Sequence, residues 1–320
     1  MDAIRSNSSV LVSVVVPAYN EEGVISETLD RIRRTSESDT RLSGHVEVII
    51  VSDGSEDRTF EEASSALGHG LRGTVIQLAS NTGSHAAIRC GLVHANGEYV
   101  VILSSDGQDP PELIPEMLNR FEHGIEVVWG KRNRRINDPW LRRTMAGVYY
   151  RLFRKVTALN YPPAGLDFVM FTSTIRDSLV SYRERNTSIF LLLFNLGFGQ
   201  TSVQYDRGER LGGQSHWTFR KRARLALDMA TSFSAAPIRL VSFGGLTIGI
   251  AGLLFGGYTV VRGMVADLPV SGWASLMVVS SLLGGFTLVA IALIGEYIWR
   301  TLDEVRDRPL YFESQRKHIE

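Results

Sequence analysis

Cysteine is almost missing from this 320-residue chain, where Cys90 stands alone. A single thiol excludes an intramolecular disulfide and any multi-cysteine metal site, and it fits a reducing compartment. Set in an apolar helical pattern, Cys90 reads as a packing residue. Net charge is lacking too, with 34 basic side chains against 34 acidic. No overall field therefore directs the protein to nucleic acid. The opening MDAIRSNSS has none of the charged, apolar and cleavage regions of a signal peptide. The soluble part is accordingly expected to stay in the cytosol. The first apolar run is followed by PAYNEE and not by G-x-G-x-x-G, which sets a dinucleotide fingerprint aside at that place.

What the chain does have is a strong asymmetry. Leu240–Val261 and Trp273–Ile294 are each 22 residues without a charge. At helical rise each would reach about 33 Å, enough to cross a bilayer. The pairs Gly244-Gly245, Gly256-Gly257 and Gly284-Gly285 suit close helix–helix approach in lipid. Arg220, Lys221, Arg222, Arg224 and Arg239 precede the first run, and Arg300, Arg306, Arg308, Arg316 and Lys317 follow the second. Only Arg262 lies in the connection, so the positive-inside rule places both ends in the cytoplasm. Between Phe219 and Ile238 the basic cluster alternates with Leu225, Leu227, Met229 and Phe233, the pattern of an amphipathic helix at a membrane interface. Pro237 interrupts it before the first span.

The soluble half alternates strand and helix patterns. Val10–Val16 is apolar and β-branched and ends at Pro17, as a buried parallel strand does. Helix follows around Val24–Arg34, then strand Val46–Val51, helix Glu56–Leu67, strand Val75–Leu78, helix Ser84–Ala95 and strand Tyr99–Leu103. This order predicts a doubly wound α/β fold around a mostly parallel sheet, with ligands bound beyond the carboxyl ends of the strands.

Polar clusters fall at those ends. Asp53 follows the second strand in VSDGSEDRT and can accept hydrogen bonds from a base or ribose; Asn20 and Glu21 occupy the equivalent place after the first. Asp-Gly after a strand is also ordinary turn chemistry. In SSDGQDPPE, Asp106 and Gln108 offer hard oxygen ligands suited to Mg²⁺ or Mn²⁺ shared with a diphosphate, while Asp109 is placed to cap the helix that Pro110 and Pro111 enter.

Taken in order, SVVVPAYNEE, VSDGSEDRT, NTGSHAAIRCGL, SSDGQDPPE, YDRGERLGGQSHW and the apolar C-terminal pair resemble the family 2 glycosyltransferases. Within that family the resemblance is to the polyprenyl-phosphate sugar transferases akin to dolichol-phosphate mannose synthase and bactoprenol glucosyltransferase. It implies a GT-A fold and inverting, metal-dependent transfer from a UDP- or GDP-sugar to undecaprenyl or dolichyl phosphate. By position, Pro17, Tyr19, Glu21 and Asp53 match the nucleotide pocket, which Asn20 joins by its place after the first strand, and Asp106 and Gln108 match the metal and diphosphate motif. Arg132 matches a phosphate-facing arginine, Arg142 and Arg143 stand near it for the acceptor phosphate, and Arg210 and His216 match the basic pair closing over the donor. Asp167 is placed to orient acceptor or sugar, or simply to make a turn.

The chain departs from the family pattern at three places. Ser104 occupies the first position of a motif often reading Asp-Ala-Asp. Leu166-Asp167-Phe168-Val169 replaces Gly-Asp-Phe-Arg, and His216 replaces a lysine, giving a titratable donor. Ser104 and Val169 keep open a membrane-anchored, inactive nucleotide-sugar binder. A processive synthase is disfavoured by only two spans and the absence of any Arg-Trp pair. The expected organisation is a glycosyltransferase domain over 1–218, an interfacial helix over 219–238, two spans within 239–300 and a cytoplasmic tail over 301–320. A homo-oligomer and a separate flippase are the further partners expected, along with the bilayer itself.

Overall fold

Nearly continuous runs of buried residues in the central strands drive the assembly of the sheet. The computed structural model describes residues 10–122, 124–133, 167–182, 188–206, 236–265, 272–306 and 308–320. Its strands are β1 (Val12–Ala18), β2 (Val46–Ser52), β3 (Arg72–Leu78), β4 (Tyr99–Ile102), β5 (Ile125–Arg132), β6 (Val169–Thr172), β7 (Gly199–Tyr205) and β8 (Glu313–Ile319). The helices are α1 (Ile25–Ser38), α2 (Thr59–Leu67), α3 (Ser84–His94), α4 (Ile114–Leu118), α5 (Ser173–Ser181), α6 (Ile189–Asn195), α7 (Ala236–Val265) and α8 (Trp273–Val305). The strands form one sheet in the order β7-β5-β6-β4-β1-β2-β3-β8. β1 runs parallel to β2 and β4, and β2 parallel to β3, while β6 and β8 enter antiparallel. The fold is thus a mixed, mostly parallel α/β sheet, as the strand–helix alternation predicts.

Both faces of β1 are covered, which is why it reads as a continuous apolar run. Val12, Val14 and Val16 join Ile25, Leu29 and Ile32 of α1 in one core cluster. Val15, on the other face, lies under α3 at Gly91, where a Cβ would come within 2.4 Å of the Val15 Cγ1. Each fully buried valine of β1 contributes on the order of 1.5–3 kcal/mol.

The chain divides into two compact units, one holding the sheet and the other α7 and α8. The last residues, 308–320, belong with the sheet. The segment expected to be a tail therefore ends as β8, paired with β3 from Gly73↔Ile319 to Leu78↔Glu313. Six of its seven residues are exposed, so ESQRKHI carries no apolar alternation to mark it as a strand. Its charges suit a sheet edge, where they discourage pairing with another chain.

In the second unit α7 spans 30 residues and α8 spans 33, each enclosing one of the uncharged runs. Val241–Tyr258 and Leu282–Val305 are long and apolar enough to cross a membrane, with mean hydropathy 1.5 and 1.8 and none of their described residues buried. Pro237 sits in the first turn of α7, where its missing N–H costs nothing. Of the three glycine pairs, Gly244-Gly245 alone serves close approach among the described residues. A Cβ at Gly245 would lie 2.7 Å from the Phe286 ring, whereas at the other two pairs it would meet nothing within 4 Å among the described residues. The interfacial-helix segment before residue 236 lies outside the described residues.

Candidate active site

Four turns meet where β1 to β4 end, and their hydrogen bonds define the site. β1 lies between β2 and β4, so the crevice beyond its carboxyl end is the sheet's switch point, the usual place for a ligand in such sheets. Asn20, with φ 53°, bridges the first two turns. Its N–H donates to the Ser55 Oγ at 3.1 Å, and its Oδ1 accepts from the Glu56 N–H at 3.0 Å. The Glu21 N–H donates to the Thr59 Oγ1 at 2.9 Å. Tyr19 and Pro17 are half-buried beside them.

Asp53 is buried and already engaged. One carboxylate oxygen accepts from the Thr82 N–H at 2.8 Å and the Thr82 hydroxyl at 2.9 Å, and the other accepts from the Gly83 N–H at 2.8 Å. It thus anchors the turn that opens α3. Gly54 follows with φ 64° and packs so closely that a Cβ would lie 2.4 Å from the Ser80 carbonyl carbon. That approach explains why glycine stands there.

After β4, Ser104 holds two carboxylates at once. Its hydroxyl donates to the Asp106 Oδ1, which also accepts from the Gln108 N–H at 3.2 Å. Its N–H donates to the Asp109 Oδ2 at 3.3 Å. Asp109 does not cap the following helix, since Pro110 holds that position without a side-chain cap. Instead Asp109 is fully buried and accepts from the Tyr205 hydroxyl at 2.7 Å. Burial pushes its carboxyl above the usual range, with Tyr205 and Arg132 opposing. Burial and Asp109 likewise raise the Tyr205 phenol.

Arg132 completes this network. It reaches Asp167 at 2.7 Å, the Tyr205 hydroxyl at 3.3 Å and Asp109 at 4.0 Å. Burial works against its charge, but Asp167, Tyr205 and Asp109 together hold the guanidinium above its ordinary range. A phosphate reaching Arg132 would have to share it with Asp167, whose side chain is 53% exposed. Tyr205→Phe should cost about 1–3 kcal/mol, because it strips a donor from a buried carboxylate. Chemical denaturation of the two proteins would measure it.

Asp106, Gln108 and Ser104 offer oxygen donors only, a set that fits a hard divalent cation such as Mg²⁺ or Mn²⁺ and not a thiophilic one. Half-buried on α3 and unassigned from the sequence is His85, whose buried Nδ1 has no hydrogen-bond partner among the described residues. Its ring packs edge-on against Phe190 at 5.7 Å.

The model of the glycosyl transferase family 2 matches residues 13–182, more than half of the chain. The chain belongs to glycosyltransferase family 2. Its relatives match nearly from end to end. An uncharacterized glycosyltransferase of Bacillus subtilis, YkcC, is 35% identical over 96% of this chain and 94% of its own length. A bactoprenol glucosyl transferase of Shigella phage SfII is 34% identical over 94% of this chain and 96% of its own. An undecaprenyl-phosphate 4-deoxy-4-formamido-L-arabinose transferase of Proteus mirabilis is 33% identical, covering 94% and 92%. Among solved structures, a Pyrobaculum calidifontis mannosyltransferase in complex with GDP-Man and Mn²⁺ aligns with a TM-score of 0.49 and 17% identity, covering 93% of this chain and 87% of that one. The protein is a glycosyltransferase, and the sheet described above is its family's GT-A architecture.

Of the residues expected in a family 2 site, the structure places Pro17 in the last residues of β1 and Tyr19, Asn20, Glu21, Asp53, Asp106 and Gln108 on turns at the ends of β1, β2 and β4, and joins Arg132 to Asp167. Arg142, Arg143, Arg210 and His216 lie outside the described residues. The roles of Thr82, Gly83 and Tyr205 went unread, although NTGS and YDRGE both stand among the recognisable motifs.

Proposed function

We propose that this glycosyltransferase moves a sugar, with inversion, from a UDP- or GDP-sugar to a polyprenyl phosphate on the cytoplasmic face of a membrane. The observation that carries this is the extent of the likeness. Similarity to proteins named for bactoprenol and undecaprenyl phosphate runs over 94% of the chain, through the sheet and both apolar helices alike.

The path of the chain supports one-sided access. It leaves the sheet unit, passes through α7 and α8, and comes back to pair β8 with β3. Two crossings return it to the side it left, so catalytic unit and C-terminus share one face. The basic residues outside the two runs favour the cytoplasm for that face.

In the reaction, an oxygen of the lipid phosphate attacks the anomeric carbon as the nucleoside diphosphate leaves from the opposite side. A phosphate monoester is already anionic near neutrality, so no strong general base is needed. The turns of Tyr19, Asn20, Glu21 and Asp53 hold the nucleotide. Asp106, with Gln108, would hold the Mg²⁺ or Mn²⁺, which supplies charge neutralisation for the leaving diphosphate. Ser104 orients Asp106 through its hydroxyl. Arg210 and His216 add positive charge at the donor, and Arg132, Arg142 and Arg143 receive the acceptor phosphate. Asp167 keeps Arg132 ordered until the acceptor arrives.

The test is incubation of the detergent-purified chain with undecaprenyl phosphate and a panel of radiolabelled UDP- and GDP-sugars, with Mg²⁺, with Mn²⁺ or with chelator. One donor is expected to give an organic-extractable product of inverted anomeric configuration, and chelator to abolish it. Retention of configuration, or full activity in chelator, would contradict the proposal.

A further inference from the structure

Cys90 and His94 stand four residues apart on α3 and therefore share one face of that helix. The return of the chain as β8 sets Glu313 against them. His94 Nε2 lies 2.8 Å from the Glu313 Oε1, and the Cys90 Sγ lies 3.7 Å from the same oxygen. All three ligand atoms fall within 4.8 Å of one another. Around a tetrahedral zinc ion, with bonds of roughly 2.0–2.3 Å, ligand atoms sit roughly 3.3–3.8 Å apart. A bound ion would spread the His94–Glu313 pair by about half an ångström and draw all three pairs to that common spacing.

We propose that Cys90, His94 and Glu313 form a site for a divalent transition-metal ion of the zinc type, which fastens the C-terminal strand to α3. The donor set is thiolate, imidazole and carboxylate, which selects a borderline metal over Mg²⁺ or Mn²⁺. It is therefore chemically distinct from the all-oxygen set at Asp106. Cys90 is fully buried, while the His94 and Glu313 side chains are 20% and 29% exposed, so the ion would be shielded on one side and open to water on the other. Arg316 approaches the Glu313 Oε2 at 3.7 Å, leaving Oε1 turned toward the other two ligands. The ion would join residues 219 positions apart and so resist withdrawal of the segment that follows α8.

The experiment uses the full chain, purified in detergent, stripped of metal and titrated with Co²⁺. One equivalent is expected to bind with the near-ultraviolet charge-transfer absorption of a cobalt–thiolate bond. Zinc should displace it, and Asp106→Asn should leave it intact. Outer-shell partners alone typically change metal affinity by about 10–100-fold. Loss of a direct ligand in His94→Ala or Glu313→Gln should therefore weaken cobalt binding by about 100-fold or more. Cys90→Ser should remove the absorption altogether. Both His94 and Glu313 are partly exposed, so these two variants decide the matter even where Cys90→Ser folds poorly. Absence of the band in the wild-type chain, or a band indifferent to His94→Ala and Glu313→Gln, would overturn the proposal and leave a hydrogen-bonded clasp.

Discussion

Asp106→Asn is expected to lower the turnover of sugar transfer by about 100- to 1,000-fold while leaving the fold intact. The substitution keeps the shape of the side chain and an acceptor oxygen for the Ser104 hydroxyl and the Gln108 N–H. What it removes is a negative charge at the one place where a cation and the leaving diphosphate would meet. Charge on that diphosphate grows as the bond to the sugar breaks, so the loss should fall mainly on kcat and less on KM. Steady-state kinetics with saturating acceptor would measure both. A loss smaller than about tenfold would mean that Asp106 does not handle the leaving group.

His85→Gln is expected to reduce the acid sensitivity of the catalytic unit between pH 6.5 and 4. Burial first, and Arg89 after it, lower the His85 imidazole from 6.5 to about 4, with Asp167 pulling the other way. The sign follows from proton uptake. Above pH 6.5 the ring is neutral whether the chain is folded or unfolded, and the stability contribution is fully present. Between 6.5 and 4 the unfolded chain takes up a proton that the folded one refuses. Stability then falls by about 1.4 kcal/mol per pH unit, on the order of 3 kcal/mol by pH 4. Denaturant unfolding between pH 7 and pH 4.5 would show a steep loss for the wild type and a shallow one for the variant. Parallel pH dependence in the two proteins would place the acid sensitivity elsewhere.

The first four strands and three helices were legible because they are local events. Each run of Val and Ile is followed by a polar turn and an amphipathic stretch, and α1 buries Ile25, Leu29 and Ile32 at helical spacing. The ends of those strands pointed directly to Asp53 and Asp106. Less legible was everything set by distant pairing. β8 is charged and exposed along nearly its whole length, and only its ladder with β3 makes it a strand. Asp109 precedes two prolines and so looks like a cap, yet Tyr205, 96 residues away, draws it into the interior. Asp53 was recognisable as a site residue, but its hold on Thr82 and Gly83 depends on the approach of the β3–α3 turn. The glycine pairs were ambiguous for a similar reason: only the position of Phe286 distinguishes Gly244-Gly245 from the other two.

The acceptor proposed for this glycosyltransferase is a lipid phosphate. The most direct measurement offers the detergent-purified chain one labelled nucleotide-sugar with undecaprenyl phosphate, with undecaprenol, or with no lipid. Organic-extractable label with the phosphate alone is the predicted result, since the attacking oxygen belongs to that group. Equal transfer to undecaprenol, or release of free sugar at the same rate without lipid, would contradict it.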